Sequence, residues 1–350
     1  MAYPIDHIPD RQIYIDGKPH LYFGGTAYLG VQNHPEFIKI FTKNIKAHGL
    51  QYGASRRSNV FLPVYGKAEQ FLANWVGSEA CLTLSSGYLA AQLVIQNLLE
   101  EGHALFAAPN AHIALQLPGV TATSNYTELK MLLEAEIGKT NIAPVLLFDT
   151  IDFASQHFPN FTDLQSLPLD KLILVGDDSH GIGVVGEEGS GCFDYLQKLR
   201  PAELMVCCSL GKGMGIQAGA IFGTVSMIQK LRNTSFYGGA SPALPAFMGT
   251  LLETKAMYDQ QRAKLMHNYS LFLELLKNPS FFSHLKGHPT FEFMDAALAK
   301  SLENSGIIFT NFTYPDENGP LVSRLVISAY HSQEDITRLA NTLNQMLPLA

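Results

Sequence analysis

The sequence predicts an α/β protein: a mostly parallel sheet in a large domain, followed by a smaller α+β domain at the carboxyl end. Three observations carry that prediction. Apolar runs of strand length alternate with helix-length segments from about residue 64 to residue 224, and strands separated by helices build parallel sheets covered on both faces. The chain has 350 residues, more than one domain usually takes, so two packed domains fit the length. Hydrophobic residues make up 47% and charged ones 16%, which excludes both disorder and a coiled coil.

The first 50 residues are read as an amino-terminal arm. Residues 64–76 then place Val64, Ala68, Phe71, Leu72, Trp75 and Val76 on one helical stripe, and Gly77 closes the helix. Residues 80–84 form a short buried strand, residues 85–88 a tight turn, and residues 88–99 a helix. Apolar strands follow over residues 103–108, 143–149, 171–177, 203–209 and 219–224. A long helical stretch from Pro245 to about Leu276 leads into a part with fewer β runs. The last helix starts at Ser332, an N-cap with Asp335 three residues on, and Ile336, Leu339, Leu343 and Met346 mark its apolar face. The chain therefore divides into the arm (1–50), a large α/β domain (51–240) and a small carboxy-terminal domain (241–350).

Charge and cysteine usage narrow the partners. Lys plus Arg (24) against Asp plus Glu (31) gives −7, and no basic cluster offers a footprint for nucleic acid. Cys81, Cys192, Cys207 and Cys208 show no CxxC spacing, so no metal site is read and the thiols fit a reducing compartment. The amino terminus lacks the apolar stretch of a signal peptide, and no run approaches the ~18 apolar residues of a membrane span. A cytoplasmic protein with no membrane partner is expected.

Ligands of open α/β sheets sit beyond the carboxyl ends of the strands. Four such ends carry reactive or orienting groups: Ser86-Gly87-Tyr88, Thr150 with Asp152, Asp177 to His180, and Ser209 to Lys212. Each alone also reads as an ordinary solvated loop. Lys212 stands between glycines after an apolar strand, where desolvation lowers an ammonium pKa and exposes the amine for Schiff-base chemistry. A buried carboxylate needs a cationic or donor partner; if a pyridinium nitrogen were that partner for Asp177, the acid would keep it protonated as part of an electron sink. His180 could reach another edge of the same ring. The small-residue turn Ser85-Ser86-Gly87-Tyr88 opens a helix and offers N–H groups and the positive end of the helix dipole to a phosphate.

Taken in order, these segments resemble the α-oxoamine synthase family of pyridoxal-phosphate enzymes, which have the fold-type I, aspartate aminotransferase-like architecture. The family's glycine-Ser-Arg segment and following helix are similar to residues 54–77, and its phosphate turn to residues 85–91. Its Asp-x-Ala-His strand end is similar to Asp177-Asp178-Ser179-His180, and its lysine segment to residues 209–215. The resemblance extends to residues 28–30 and 323–331, nearly the whole chain. It implies that Lys212 holds pyridoxal 5'-phosphate and later moves the α-proton, that Asp177 pairs with the pyridine nitrogen, and that His180 contacts the phenolic oxygen. Ser86, Ser209 and the N–H groups of Gly87 and Tyr88 would serve the phosphate, His112 would stack on the ring, and Thr150 would lie near the ring oxygen. Arg324 would bind the substrate carboxylate through a bidentate guanidinium. No metal is implied.

The implied activity is an acyltransferase reaction in which an amino acid and an acyl-CoA thioester condense to an aminoketone, as in enzymes of the 8-amino-7-oxononanoate synthase and glycine C-acetyltransferase kind. The residues do not separate those two. A homodimer is implied, with residues 235–243 reaching across to the neighbouring subunit. Several positions depart from the family pattern: Thr26 and Ala91 replace asparagines, Tyr65 a histidine, and Gly239 and Ala240 hydroxyl residues. Cofactor-anchoring residues are kept better than substrate-contacting ones. Transamination or an aldolase-like cleavage on the same cofactor, a non-catalytic relative of the fold, and nucleotide binding through residues 181–189 are the alternatives.

Overall fold

The computed structural model describes residues 3–155 and 158–348. Its strands are β1 (Gln12–Ile15), β2 (Lys18–Phe23), β3 (Ala80–Leu84), β4 (Leu105–Ala107), β5 (Val120–Ala122), β6 (Val145–Asp149), β7 (Ile173–Asp177), β8 (Glu203–Ser209), β9 (Gly219–Gly223), β10 (Ser283–His284), β11 (Thr290–Glu292), β12 (Ile307–Thr313) and β13 (Leu321–Val326). The chain forms two compact units, one from Pro35 to Ala256 and one from the residues before and after it.

The larger unit holds a sheet of order β3-β9-β8-β7-β6-β4-β5. Strands β8, β7, β6, β4 and β5 are parallel, while β9 runs antiparallel to both β3 and β8. On one face Leu147, Val175, Met205 and Ile221 share a core with Ala90, Ala91, Val94 and Leu98 of the helix Gly87–Glu100. Small residues on that helix let it lie close to the sheet. Each fully buried aliphatic side chain contributes about 1.5–3 kcal/mol.

This unit starts before residue 51 and ends after residue 240. The helix Pro35–His48 belongs to it, because Phe41 stacks on Phe247 at 4.3 Å and the Asn44 amide donates to Glu253 Oε1 at 2.9 Å. The stretch expected as one long helix is two, Pro245–Glu253 and Lys255–Leu275. They part at Thr254, whose hydroxyl donates to the Thr250 carbonyl (3.0 Å).

The smaller unit holds a sheet of order β1-β2-β12-β13-β11-β10. Strands β1 and β2 form a hairpin around Asp16-Gly17, with φ of 49° and 73°, the positive pair that a type I′ turn requires. β2 then pairs in parallel with β12, Leu21 opposite Ile307. The amino-terminal segment thus supplies two of the six strands of a sheet whose other four come from residues 283–326. The last helix, Gln333–Met346, carries the expected capping box between Ser332 and Asp335, and Asp335 also takes both Nε and Nη2 of Arg11 (2.7 and 2.6 Å).

His331 makes this unit acid-sensitive. Its Nδ1 accepts the Ser328 N–H (3.0 Å) and its Nε2 faces the Tyr22 carbonyl (2.9 Å), so the neutral tautomer with a proton on Nε2 satisfies both. The ring stacks on Phe23 at 4.0 Å. Burial pushes its pKa down to about 4 from 6.5. Because the folded value lies below the unfolded one, the contribution is fully present above pH 6.5 and is lost as pH falls toward 4, about 3 kcal/mol in all. Urea unfolding midpoints should fall across that window, and His331→Asn should flatten the fall; an equal slope in the variant would refute the assignment.

Candidate active site

The carboxyl ends of β6, β7 and β8 bring three side chains into one row, since Asp149 is the register partner of Asp177 and Asp177 that of Cys207. Asp177 is buried, and its Oδ1 accepts the Ser179 N–H at 2.9 Å. The chain then turns through His180. Between β8 and the antiparallel β9, the loop is closed by Leu210 N–H to Ala218 O (2.9 Å) and Ile216 N–H to Leu210 O (3.1 Å). That hairpin projects Lys212, whose Nζ lies 2.9 Å from His180 Nε2. One nitrogen donates and the other accepts, so the contact holds a lone pair at this point. Gly213 is required beside it, because a Cβ there would stand 2.7 Å from the Ile182 carbonyl oxygen.

His112 comes from the loop after β4. Its backbone N–H donates to Asp149 Oδ2 at 2.7 Å, and its Nδ1 accepts the Ala114 N–H at 3.1 Å. Burial is the main cause of a lowered His112 pKa; Asp177 opposes the shift and Lys212 adds to it, which places all three charges in one neighbourhood. Asp149 is shifted the other way, well above the usual carboxylate range, first by burial and then by Asp177.

A second set of groups lies at the start of the helix Gly87–Glu100. Ser86 caps it, Oγ accepting from Leu89 N–H at 3.2 Å, and the first N–H groups of the helix open outward. Gly87 is pressed against Ser209: a Cβ there would lie 2.6 Å from Ser209 N and 2.7 Å from its Cα. Ser86, Ser209, Gly211, Gly215, Gln217 and Phe247 are among the residues lining a cavity of about 410 Å³. The donor set therefore comprises a helix N-terminus with two hydroxyls for an anion, together with an amine, imidazoles and a buried carboxylate. Pyridoxal phosphate fits it: phosphate at one end, a lysine for the aldehyde, an acid for the ring nitrogen.

Comparison with known proteins agrees with that fit. The 8-amino-7-oxononanoate synthase of Aliivibrio fischeri strain MJ11 is 27% identical, over 95% of this chain and 90% of that protein. The Nitrosomonas europaea enzyme of the same name is 26% identical over 95% and 91%. Over nearly its whole length the chain is thus similar to enzymes of the α-oxoamine synthase family. Among solved structures, a serine palmitoyltransferase from S. paucimobilis carrying a pyridoxal phosphate–myriocin adduct matches at TM-score 0.81, with 16% identity over 98% of this chain and 92% of that one. The 8-amino-7-oxononanoate synthase of Francisella tularensis matches at TM-score 0.71, with 18% identity over 93% and 97%. These likenesses show the fold, fold-type I. No family model matches the chain.

Set against the α-oxoamine synthase pattern, the structure gathers Asp177, His180, Lys212 and His112 at neighbouring strand ends, and Ser86 and Ser209 around one cavity, with Gly87 packed against Ser209. The Tyr88 side chain is exposed, which leaves its backbone N–H as the useful group. Thr150 is fully buried, and its hydroxyl donates to Asp178 Oδ1 at 2.5 Å. Asp178 also accepts the Cys192 N–H (2.9 Å) and so pins the glycine-rich loop; burial raises its pKa to about 6. Arg324, in the smaller unit, is paired with Glu292, its register partner across β11 and β13. Sequence reasoning passed over Asp149, Asp178 and Glu292. Asp149 alone carried a usable signal, as the acid that ends an apolar run.

Proposed function

We propose that this chain is a pyridoxal-phosphate-dependent acyltransferase that condenses an amino acid with an acyl-CoA, giving an aminoketone, free CoA and carbon dioxide. The observation that carries the reading is the 2.9 Å contact between Lys212 Nζ and His180 Nε2, beside the Asp177 carboxylate. Bound there, pyridoxal phosphate supplies an electron sink for the negative charge that develops at the amino acid's α-carbon. Asp177 keeps the pyridine nitrogen protonated, since a buried carboxylate is stabilised by a cationic donor. His180 takes the phenolic oxygen edge. Lys212 Nζ would hold the aldehyde, and the same amine would take the α-proton. The Gly87 and Tyr88 N–H groups with the Ser86 and Ser209 hydroxyls bind the phosphate.

His112 sets the plane of the ring and thereby which bond at the α-carbon aligns for cleavage. Thr150 acts through Asp178 on the loop that follows His180. Arg324 is the guanidinium assigned to the substrate carboxylate, for which Glu292 competes. In this reading the protein works as a cytoplasmic homodimer, residues 235–243 serving the neighbouring subunit. Incubation of the cofactor-loaded protein with glycine or alanine and an acyl-CoA should release free thiol, with one carbon dioxide per CoA. Conversion of the amino acid to its keto acid without thiol release would replace the reading by transamination.

A further inference from the structure

Asp149 ends β6, and no role attaches to it in the reaction as described. Its Oδ2 accepts the His112 backbone N–H at 2.7 Å. The same loop is tied down by Ala108 N–H to Leu147 O (2.8 Å) and Ala111 N–H to Ala108 O (3.2 Å). Beyond His112, the Ala114 N–H holds Nδ1, and the Gln92 amide holds the Ala114 carbonyl at 3.0 Å. The imidazole is thus fixed by its ring nitrogen at one end and by its own main chain at the other. The main-chain anchor is a side chain.

That side chain stands beside a second acid. Parallel register partners project to the same face of a sheet, so the side chains of Asp149 and Asp177 are neighbours. The groups facing Asp149 are Asp177, Asp152, Lys212, His112 and the Tyr126 phenol, and burial outweighs the lysine. Burial, and after it Asp177, raises the Asp149 pKa well above the usual carboxylate range. We propose that Asp149 is a positioning residue: its Oδ2 accepts the His112 N–H and so sets where the His112 ring stands in the crevice.

An amide of the same shape keeps an oxygen to accept the His112 N–H, so Asp149→Asn should behave as the native residue does. Asp149→Ala removes the anchor; Asp149→Val, a strand former, serves in its place if the alanine variant does not fold. The first measurement is the NMR titration of the His112 ring protons in protein without cofactor. The second is the split of kcat and KM for the amino acid with cofactor bound. Asp149→Ala should move the His112 titration upward toward the ordinary 6.5, because a released ring regains water. It should also lower kcat by roughly 10- to 100-fold, with a smaller change in KM, and Asp149→Asn should match the native protein in both. An Asp149→Asn variant as impaired as Asp149→Ala would overturn the proposal, as would a His112 titration that Asp149→Ala leaves in place. The kinetic arm rests on the proposed function, whereas the titration does not: native protein that fails to turn over defeats that function and leaves the titration to judge Asp149.

Discussion

Lys212→Ala abolishes turnover. Removal of the group proposed to move the α-proton should cost on the order of 10²- to 10⁴-fold, and loss of the proposed covalent link to the cofactor would add to it. Borohydride reduction of the native protein followed by peptide mapping should place the pyridoxyl group on Lys212, and the Lys212→Ala protein should carry none. The fold is kept, because the side chain is half-buried at the tip of a loop whose closing bonds are all backbone. A pyridoxyl group on any other lysine of the native protein would move the site elsewhere.

Glu69→Ala has the largest expected effect on stability. Glu69 is 3% exposed and gathers four bonds: Oε1 accepts from Arg56 Nη2 (3.0 Å), Thr83 N–H (2.9 Å) and the Thr83 hydroxyl (2.9 Å), and Oε2 takes Arg232 Nη2 (2.7 Å). The Arg56 guanidinium also lies over the Tyr65 ring at 4.1 Å. Truncation leaves Arg56 buried and uncompensated, at a cost of about 3–5 kcal/mol, read as a lower urea midpoint. Glu69→Gln keeps an acceptor and should lose less. A loss under about 1 kcal/mol would mean that water replaces the carboxylate, as at exposed ion pairs.

Both predictions bear on how the protein could be read. Lys212 was legible because its flanking glycines and the apolar run before it are adjacent in sequence. Glu69 was not, because it sits on the helix Pro63–Val76 like any surface glutamate, and only the approach of Arg56, Thr83 and Arg232 makes it the centre of a network. The Arg56 segment was recognised by its resemblance, but what the arginine binds could not be. The Asp16-Gly17 pair between two apolar runs is a readable hairpin signal. Its partner strand β12, far along the chain, is not.

By itself, the sequence determined the α/β alternation, the helix cap at Ser332, and the order of the strand ends that carry Lys212, Asp177 and His180. These follow from local periodicity and capping chemistry, which act within a few residues. The tertiary structure decided which ends lie side by side: Asp149 next to Asp177, Asp149 under His112, Glu292 on Arg324, and the chain before Pro35 in one unit with the chain after Ala256. Strand pairing and buried charge depend on contacts between residues distant along the chain. Their free energy appears only when water is removed between them, and no local pattern encodes it.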